Sequence, residues 1–200
     1  MTNRDWTGNK RSNHATIGSR VGAQEEREQN DYYATDPRAV ELLLEQEKFA
    51  KYIWEPACGE GHISKVLLEH GYCVLSSDLV YRGYGVGRVD FLKERLDVAN
   101  TDIITNPPYK FALEFAQKAL DLIEDGHKVA LFLRIQFLEG KKRRKFFEKN
   151  PPKVVYVASD RLQCAKNGDF ASYQVRPPVC YAWFVWEKGY TGEPVVRWFN

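Results

Sequence analysis

From residue 38 onward, apolar positions recur with two alternating periods. Helical spacing predicts helices over 38–48, 62–70 and 110–124, while short β-branched or apolar runs predict strands at 51–54, 72–76, 101–105 and 128–133. Helix alternating with strand argues for an α/β domain with a parallel sheet covered on both faces. Two more β-like stretches follow, at 153–158 and 179–187. In the second, Val179, Tyr181, Trp183 and Val185 alternate with Cys180, Ala182, Phe184 and Trp186. Both faces of that strand are apolar, so it is expected to be buried. Residues 1–29 lack any such pattern. They are polar and start basic, with Arg4, Lys10, Arg11 and Arg20, and are predicted to form a flexible tail.

Candidate chemistry sits where predicted strands end. Asp102-Ile103-Ile104-Thr105 runs into Asn106-Pro107-Pro108-Tyr109. Consecutive prolines stop both a ladder and a helix, because each lacks an N–H and fixes φ. The loop therefore holds one amide side chain, one proline carbonyl and one aromatic face in fixed relation. Two such acceptors suit the two hydrogens of an exocyclic amine, and the ring can stack on a planar group. Upstream, Trp54-Glu55-Pro56-Ala57-Cys58-Gly59-Glu60-Gly61-His62 lies between a strand and a helix. Glycines at such a turn permit positive φ and close approach of a ligand to the backbone. The string is not G-x-G-x-x-G and no Walker lysine follows, which disfavours a dinucleotide or triphosphate site. The next strand ends at Asp78. An acid there can accept hydrogen bonds from a ribose diol, or simply cap the following turn. Thr35 or Asp36 is a good helix N-cap, with Pro37 at the first helical position.

Taken in order, these segments resemble the amino-group methyltransferases that use S-adenosylmethionine. The chain resembles in particular a DNA N6-adenine methyltransferase of the small phage and prophage type, over roughly residues 30–200. The resemblance implies a Rossmann-like class I methyltransferase fold. Its mostly parallel sheet would be completed by an antiparallel C-terminal hairpin at the edge. Larger DNA adenine methyltransferases carry a separate target-recognition domain; these 200 residues leave no room for one, a departure from which a short or loose recognition site, or a borrowed partner, is expected. It implies that Asn106, Pro107, Pro108 and Tyr109 are catalytic. It places the cofactor against Tyr33, Thr35 and Pro37, against Glu55, Ala57, Cys58, Gly59 and Gly61, and against Asp78, Leu79 and Asn106. Asp90 and Phe91 would flank its adenine. The substrate adenine would be in DNA; amino groups of RNA, of cytosine N4 or of a protein glutamine are alternatives with the same geometry. A catalytically idle cofactor- or nucleic-acid-binding module is the alternative of another class.

Charge refines this picture little in sum and more in distribution. The 200 residues carry a net charge of only +2, so no global basic field marks a nucleic-acid binder. The densest basic run is Lys141-Lys142-Arg143-Arg144-Lys145, read either as a solvated helix face or as phosphate contacts through Lys141, Lys142, Arg143 and Arg144. Residues 160–178 read as a long loop at the functional rim, with Phe170 and Tyr173 as candidate stacking residues. The four cysteines and four histidines are scattered. That spread predicts reduced thiols in a cytoplasmic protein and no metal site; the resemblance implies the cytoplasm of a bacterium or phage-infected cell. No membrane-spanning run or signal-peptide pattern is present.

Overall fold

The computed structural model describes residues 32–96, 98–160, 162, 164–166 and 179–200. In chain order the elements are β1 (Tyr33–Thr35), α1 (Pro37–Gln46), β2 (Tyr52–Glu55), α2 (His62–Glu69), β3 (Cys73–Ser76) and β4 (Thr101–Thr105). They continue with a 3-10 turn (Tyr109–Phe111), α3 (Ala112–Leu122), β5 (Lys128–Arg134), a second 3-10 turn (Ile135–Leu138) and α4 (Lys141–Lys149). The last part is all strand: β6 (Val154–Ala158), β7 (Cys164–Lys166), β8 (Tyr181–Glu187) and β9 (Val195–Phe199). Each helix and strand expected from periodicity is present within a few residues. The expected helix over 110–124 begins as a 3-10 turn, because Pro108 precedes it and Phe111 N–H bonds the Pro108 carbonyl at 2.8 Å. At α1, Asp36 is the cap: its Oδ1 accepts from Arg38 N–H at 3.0 Å, and Pro37 takes the first helical position.

Seven strands form one sheet in the order β3-β2-β4-β5-β8-β6-β9, and β1 and β7 form a separate antiparallel ribbon. β2, β3, β4 and β5 are mutually parallel, whereas β8 runs antiparallel between β5 and β6. The antiparallel C-terminal pair is therefore present, but not at the expected edge. That edge is taken by β9, which lies parallel to β6. Side-chain character explains the order. β8 is apolar on both faces and buried along its length except at Glu187, so it needs neighbours on both sides. In β9 only Phe199 is buried, and Trp198 is 71% exposed.

Alternation along each strand sends neighbouring residues into two cores. Ile53, Ile104, Trp183 and Val185 pack under α1 and α2, while Trp54, Ile103, Phe184 and Trp186 pack under α3 and α4. Each buried indole finds an acceptor: Trp183 at the Ala39 carbonyl (2.7 Å), Trp186 at the Asn150 carbonyl (3.1 Å) and Trp54 at Ser77 Oγ (2.8 Å). Such rings thereby keep the roughly 2–3 kcal/mol of transfer free energy that burial supplies, without an orphaned N–H.

The order of strands reverses between β2 and β4: the chain steps from β2 outward to β3, then returns to β4 and proceeds to β5. Ligands in open α/β sheets lie beyond the carboxyl ends of strands at such a switch point. Among the described residues, the connection from β3 to β4 contains no helix or strand, only the isolated bridge of Ser77 to Val86. No helix of the described residues is long and apolar enough to cross a membrane.

The opposite end of the sheet is fixed by Asp102, which is 2% exposed. Its carboxylate accepts from Ala50 N–H (2.6 Å) and Lys128 N–H (2.8 Å) and bonds His127 Nδ1 (2.8 Å). One side chain thus ties the starts of β4 and β5 to the turn before β2. We expect Asp102→Ala to strand those donors and cost roughly 2–4 kcal/mol. A urea titration would register this as a lower midpoint with an unchanged slope; an unshifted midpoint would refute the role.

Candidate active site at the carboxyl rim

β4 delivers Asn106 to the rim. Its Nδ2 donates to the Tyr33 carbonyl (3.1 Å) and to Thr35 Oγ1 (3.0 Å), with Cys164 Sγ at 3.8 Å. A carbonyl can only accept, so the amide's NH2 must face β1 and its Oδ1 must face away. Among the described residues no donor reaches that oxygen. The β1–β7 ribbon, in which Thr35 pairs with Cys164, is what clasps the amide. Pro107 is buried and Pro108 exposed, so the rigid dipeptide leaves the loop by one side only.

Tyr109 is enclosed by other elements. Its hydroxyl donates to Cys164 Sγ (3.4 Å), and its ring lies 5.9 Å from Tyr33 and 6.0 Å from Tyr181. The Arg134 guanidinium covers it at 4.8 Å from the ring centroid. Burial raises the pKa values of all three ionisable neighbours: Tyr109 well above its usual 10, Cys164 to about 12 and Tyr181 to about 12. They are neutral at physiological pH.

The loop after β2 is shaped by two tyrosines outside it. Gly59 and Gly61 have φ of +55° and +80°. A Cβ on Gly59 would lie 2.1 Å from the Tyr32 ring, and one on Gly61 would lie 2.5 Å from the Tyr84 ring. Tyr32 also accepts from Glu60 N–H (3.2 Å) and bonds His62 Nδ1 (2.9 Å), while Arg82 stacks on its ring at 4.9 Å. Asp78 clamps the loop from β3: Oδ2 accepts from Gly59 N–H and Oδ1 from Val80 N–H, at 2.8 and 2.9 Å. Ala57 is half-buried and Cys58 buried, with its thiol pushed up to about 12 chiefly by burial. Tyr33, Thr35, Gly59, Gly61, Asp78 and Asn106 are thus brought to one rim.

Other nominated residues lie differently. Phe91 is 2% exposed, its ring packed edge-on to Trp54 and against Phe115. Asp90 accepts from Leu92 N–H at 3.2 Å and pairs with Lys93 at 2.8 Å. Leu79 is 55% exposed. Pro37 serves the start of α1. Glu55 is 1% exposed and is bonded by Ser64 Oγ, which also meets Ser76 Oγ at 2.6 Å. It faces the interior behind the loop. Phe170, Tyr173 and residues 1–31 lie outside the described residues.

Lys141, Lys142, Arg143 and Arg144 form the first turn of α4, which leaves the rim just after β5. The run is not free of acids, as its sequence suggests: Arg144 pairs with Glu148 at 2.8 Å. Arg143 stacks on Phe137 at 5.3 Å and donates to the Gln136 carbonyl at 3.2 Å. Lys141 and Lys142 are exposed beside an open depression of about 600 Å³ lined by Leu138, Gly140, Lys141, Arg144, Phe147 and Glu148. Among the described residues no cluster of three or more His, Cys, Asp or Glu could hold a metal ion.

No protein-family model matches the sequence, and no curated protein is significantly similar to it. The three-dimensional arrangement does find relatives. A modification subunit of a type I restriction enzyme from Vibrio vulnificus superposes with a TM-score of 0.57 at 12% identity, covering 84% of this chain and 46% of that one. A Listeria monocytogenes protein designated a class I S-adenosylmethionine-dependent methyltransferase gives 0.52 at 13%, covering 81% and 62%. A predicted O-methyltransferase from Agrobacterium tumefaciens gives 0.55 at 12%, covering 82% and 85%. The fold is that of the class I methyltransferases. The chain spans less than two thirds of the Vibrio and Listeria proteins.

Residues that the sequence did not single out include Tyr32, Ser64, Tyr84, Arg134 and Cys164. Tyr32 had a signal, since it adjoins Tyr33 in the segment before α1; Ser64 lies buried in the first turn of α2 behind the glycine turn, and Tyr84, Arg134 and Cys164 reach the rim only through the packing of separate strands and loops.

Glu55 gives the rim a pH signature. Burial raises its carboxyl from 4.5 to about 8. Folded protein keeps this proton where unfolded chain has lost it. The group's contribution to stability is therefore full below pH 4.5 and is lost as pH rises through about 8. We expect wild-type stability to fall by on the order of a few kcal/mol across that window, and Glu55→Gln to flatten the fall. Urea midpoints for both proteins from pH 5 to 9 would decide; parallel curves would refute the assignment.

Proposed function

We propose that this protein transfers a methyl group from S-adenosylmethionine to the exocyclic N6 amine of adenine in DNA. The orientation of Asn106 carries the reading. Its NH2 is fixed by β1, so its Oδ1 stands as an acceptor at the switch point of the sheet. With the Pro107 carbonyl it accepts the two amine hydrogens, which draws the nitrogen lone pair out of conjugation with the ring. The adenine leaves its duplex to reach this rim, and Tyr109 supplies the stacking face.

The rim suits S-adenosylmethionine through its acceptors. The N–H groups of Gly59, Glu60 and Gly61 are taken by Asp78, Tyr32 and the Cys58 carbonyl, whereas the Asp78 carboxylate keeps lone pairs to spare for a ribose diol. Tyr33, Thr35 and Ala57 border the same rim, and Glu55 supports the turn from behind. When bound, the cofactor supplies an already activated methyl group, so the protein's part is alignment. No strong base is needed, since the amine proton becomes acidic once nitrogen has acquired the methyl group.

DNA as the substrate is supported by the position of the basic run. Four cations fill the first turn of α4 with no acid among them, although the helix dipole makes that end unfavourable for positive charge. These cations sit at the end of α4 that follows the carboxyl end of β5, where phosphates would pass. The fold likeness to a restriction-modification subunit accords with this. The resemblance of the motifs further favours a phage or prophage role in the cytoplasm.

Incubation with labelled S-adenosylmethionine and unmethylated DNA, with RNA and protein extract in parallel, tests the proposal directly. N6-methyladenine in the DNA is expected; label only in RNA or protein would overturn the substrate. Asn106→Ala is expected to lower transfer by at least about a hundredfold while leaving cofactor affinity unchanged, and full activity would remove Asn106 from the mechanism. Neutralising Lys141, Lys142, Arg143 and Arg144 is expected to weaken DNA binding and to flatten its log–log salt dependence by roughly 0.9 per lost contact. Unchanged affinity across the salt series would dismiss the basic run as a phosphate site.

A further inference from the structure

The base-stacking face of Tyr109 is not open. Arg134 lies on it, with its guanidinium 4.8 Å from the ring centroid. A stacked base needs its own centroid within about 4.5–7 Å of the same ring, so base and guanidinium compete for one place. The remaining neighbours of Tyr109 cannot give way. Tyr33, Cys164 and Tyr181 belong to β1, β7 and β8 and are held by strand pairing. Arg134, in contrast, is exposed. Its backbone is fixed at the end of β5 by pairing with Tyr181, and the next residue's N–H bonds the Cys180 carbonyl at 2.9 Å. Its side chain rests on two neutral partners, the Tyr109 ring and the Tyr181 hydroxyl, and no strand pairing holds it.

We propose that Arg134 is a positioning residue that covers Tyr109 until a base arrives and then swings onto a phosphate of the flipped nucleotide. This rests on the reading of the protein as a DNA adenine methyltransferase. The chemistry suits the exchange. No carboxylate among the described residues pairs with Arg134, and the groups around it, Tyr109, Tyr181 and Cys164, are neutral. A planar guanidinium stacks on aromatic faces and equally matches phosphate in a bidentate fork. The displaced cation therefore trades a π face for an anion that arrives with the base. The exchange favours a nucleotide within a strand over a free base, because the free base displaces the cation and offers it nothing.

Arg134→Ala and Arg134→Lys, compared with the wild type, test this through methyl-transfer kinetics on DNA and anisotropy titrations of a labelled duplex over a salt series. For Arg134→Ala we expect KM for DNA to rise about tenfold, with a smaller change in kcat. The salt slope should become shallower by roughly 0.9, and affinity for S-adenosylmethionine should stay at the wild-type value. Arg134→Lys keeps the charge but not the fork, so it should restore the slope and recover KM only in part. If the wild type methylates DNA and Arg134→Ala matches its KM and slope, the Arg134 assignment falls alone. A lower melting temperature and weaker cofactor binding in Arg134→Ala, with an unaltered salt slope, would mark Arg134 as structural and also overturn it. A wild type that neither binds nor methylates DNA overturns the functional reading, and this inference with it.

Discussion

The rim depends on one hydrogen-bonded anchor: the Asn106 amide nitrogen held between the Tyr33 carbonyl and Thr35 Oγ1. A free asparagine at a strand tip can present either end of its amide. Here the acceptor-only carbonyl of Tyr33 removes the choice. The anchor also joins parts of the chain that are remote in sequence. β1 precedes the first helix, β4 lies in the middle of the sheet, and β7 comes after β6, yet all three meet at this amide through the pairing of Thr35 with Cys164. Loss of the ribbon would leave the Pro107-Pro108 turn rigid but its amide undirected.

The Gly59–Gly61 turn follows a similar logic with aromatic rings in place of a ribbon. Its glycines are required twice over, by positive φ and by the Tyr32 and Tyr84 rings that fill the space a Cβ would need. Asp78 then closes the turn from the neighbouring strand. The turn is therefore shaped by contacts from outside itself, one from the segment before α1 and the others from the β3–β4 connection. A connection without helix or strand among its described residues still positions Asp78, Tyr84 and Val86 around the loop.

Much of this was legible in the sequence because it is local. Period-3.6 and period-2 patterns marked α1 to α3 and β2 to β6, and the two loops of interest were given away by glycine and proline, whose backbone constraints do not depend on context. β8 was recognisable as buried from Tyr181 to Trp186, but not its place inside the sheet, since strand order is set by which neighbours cover it. β1 and β7 are only three residues each and carry no period to read. β9 is mostly exposed and mixed in character, so it resembles a loop in sequence. Glu55 could be seen to adjoin the glycine loop; that its carboxyl turns inward to Ser64 depends on where α2 packs. Arg134 is one basic residue after an apolar strand, and only Tyr109's placement beside it gives it meaning.

The electrostatic character of the rim suits the proposed alignment of an amine without its deprotonation. The thiols of Cys58 and Cys164 and the phenols of Tyr32 and Tyr181 are all pushed up to about 12, in each case first by burial. Glu55, raised to about 8, also holds its proton at neutral pH. His62 moves in the opposite direction by the same cause, so burial keeps it neutral as well. Asp78 lies in this surround with both carboxylate oxygens engaged by backbone N–H groups. The buried groups are neutral, Arg82 and Arg134 are cations that cannot accept a proton, and the Asp78 carboxylate is engaged, so the rim competes little for the protons of an amine. In the proposed reaction this leaves Asn106 Oδ1 and a proline carbonyl as the directed acceptors, and alignment by such preorganised dipoles would cost no reorganisation at the moment of transfer.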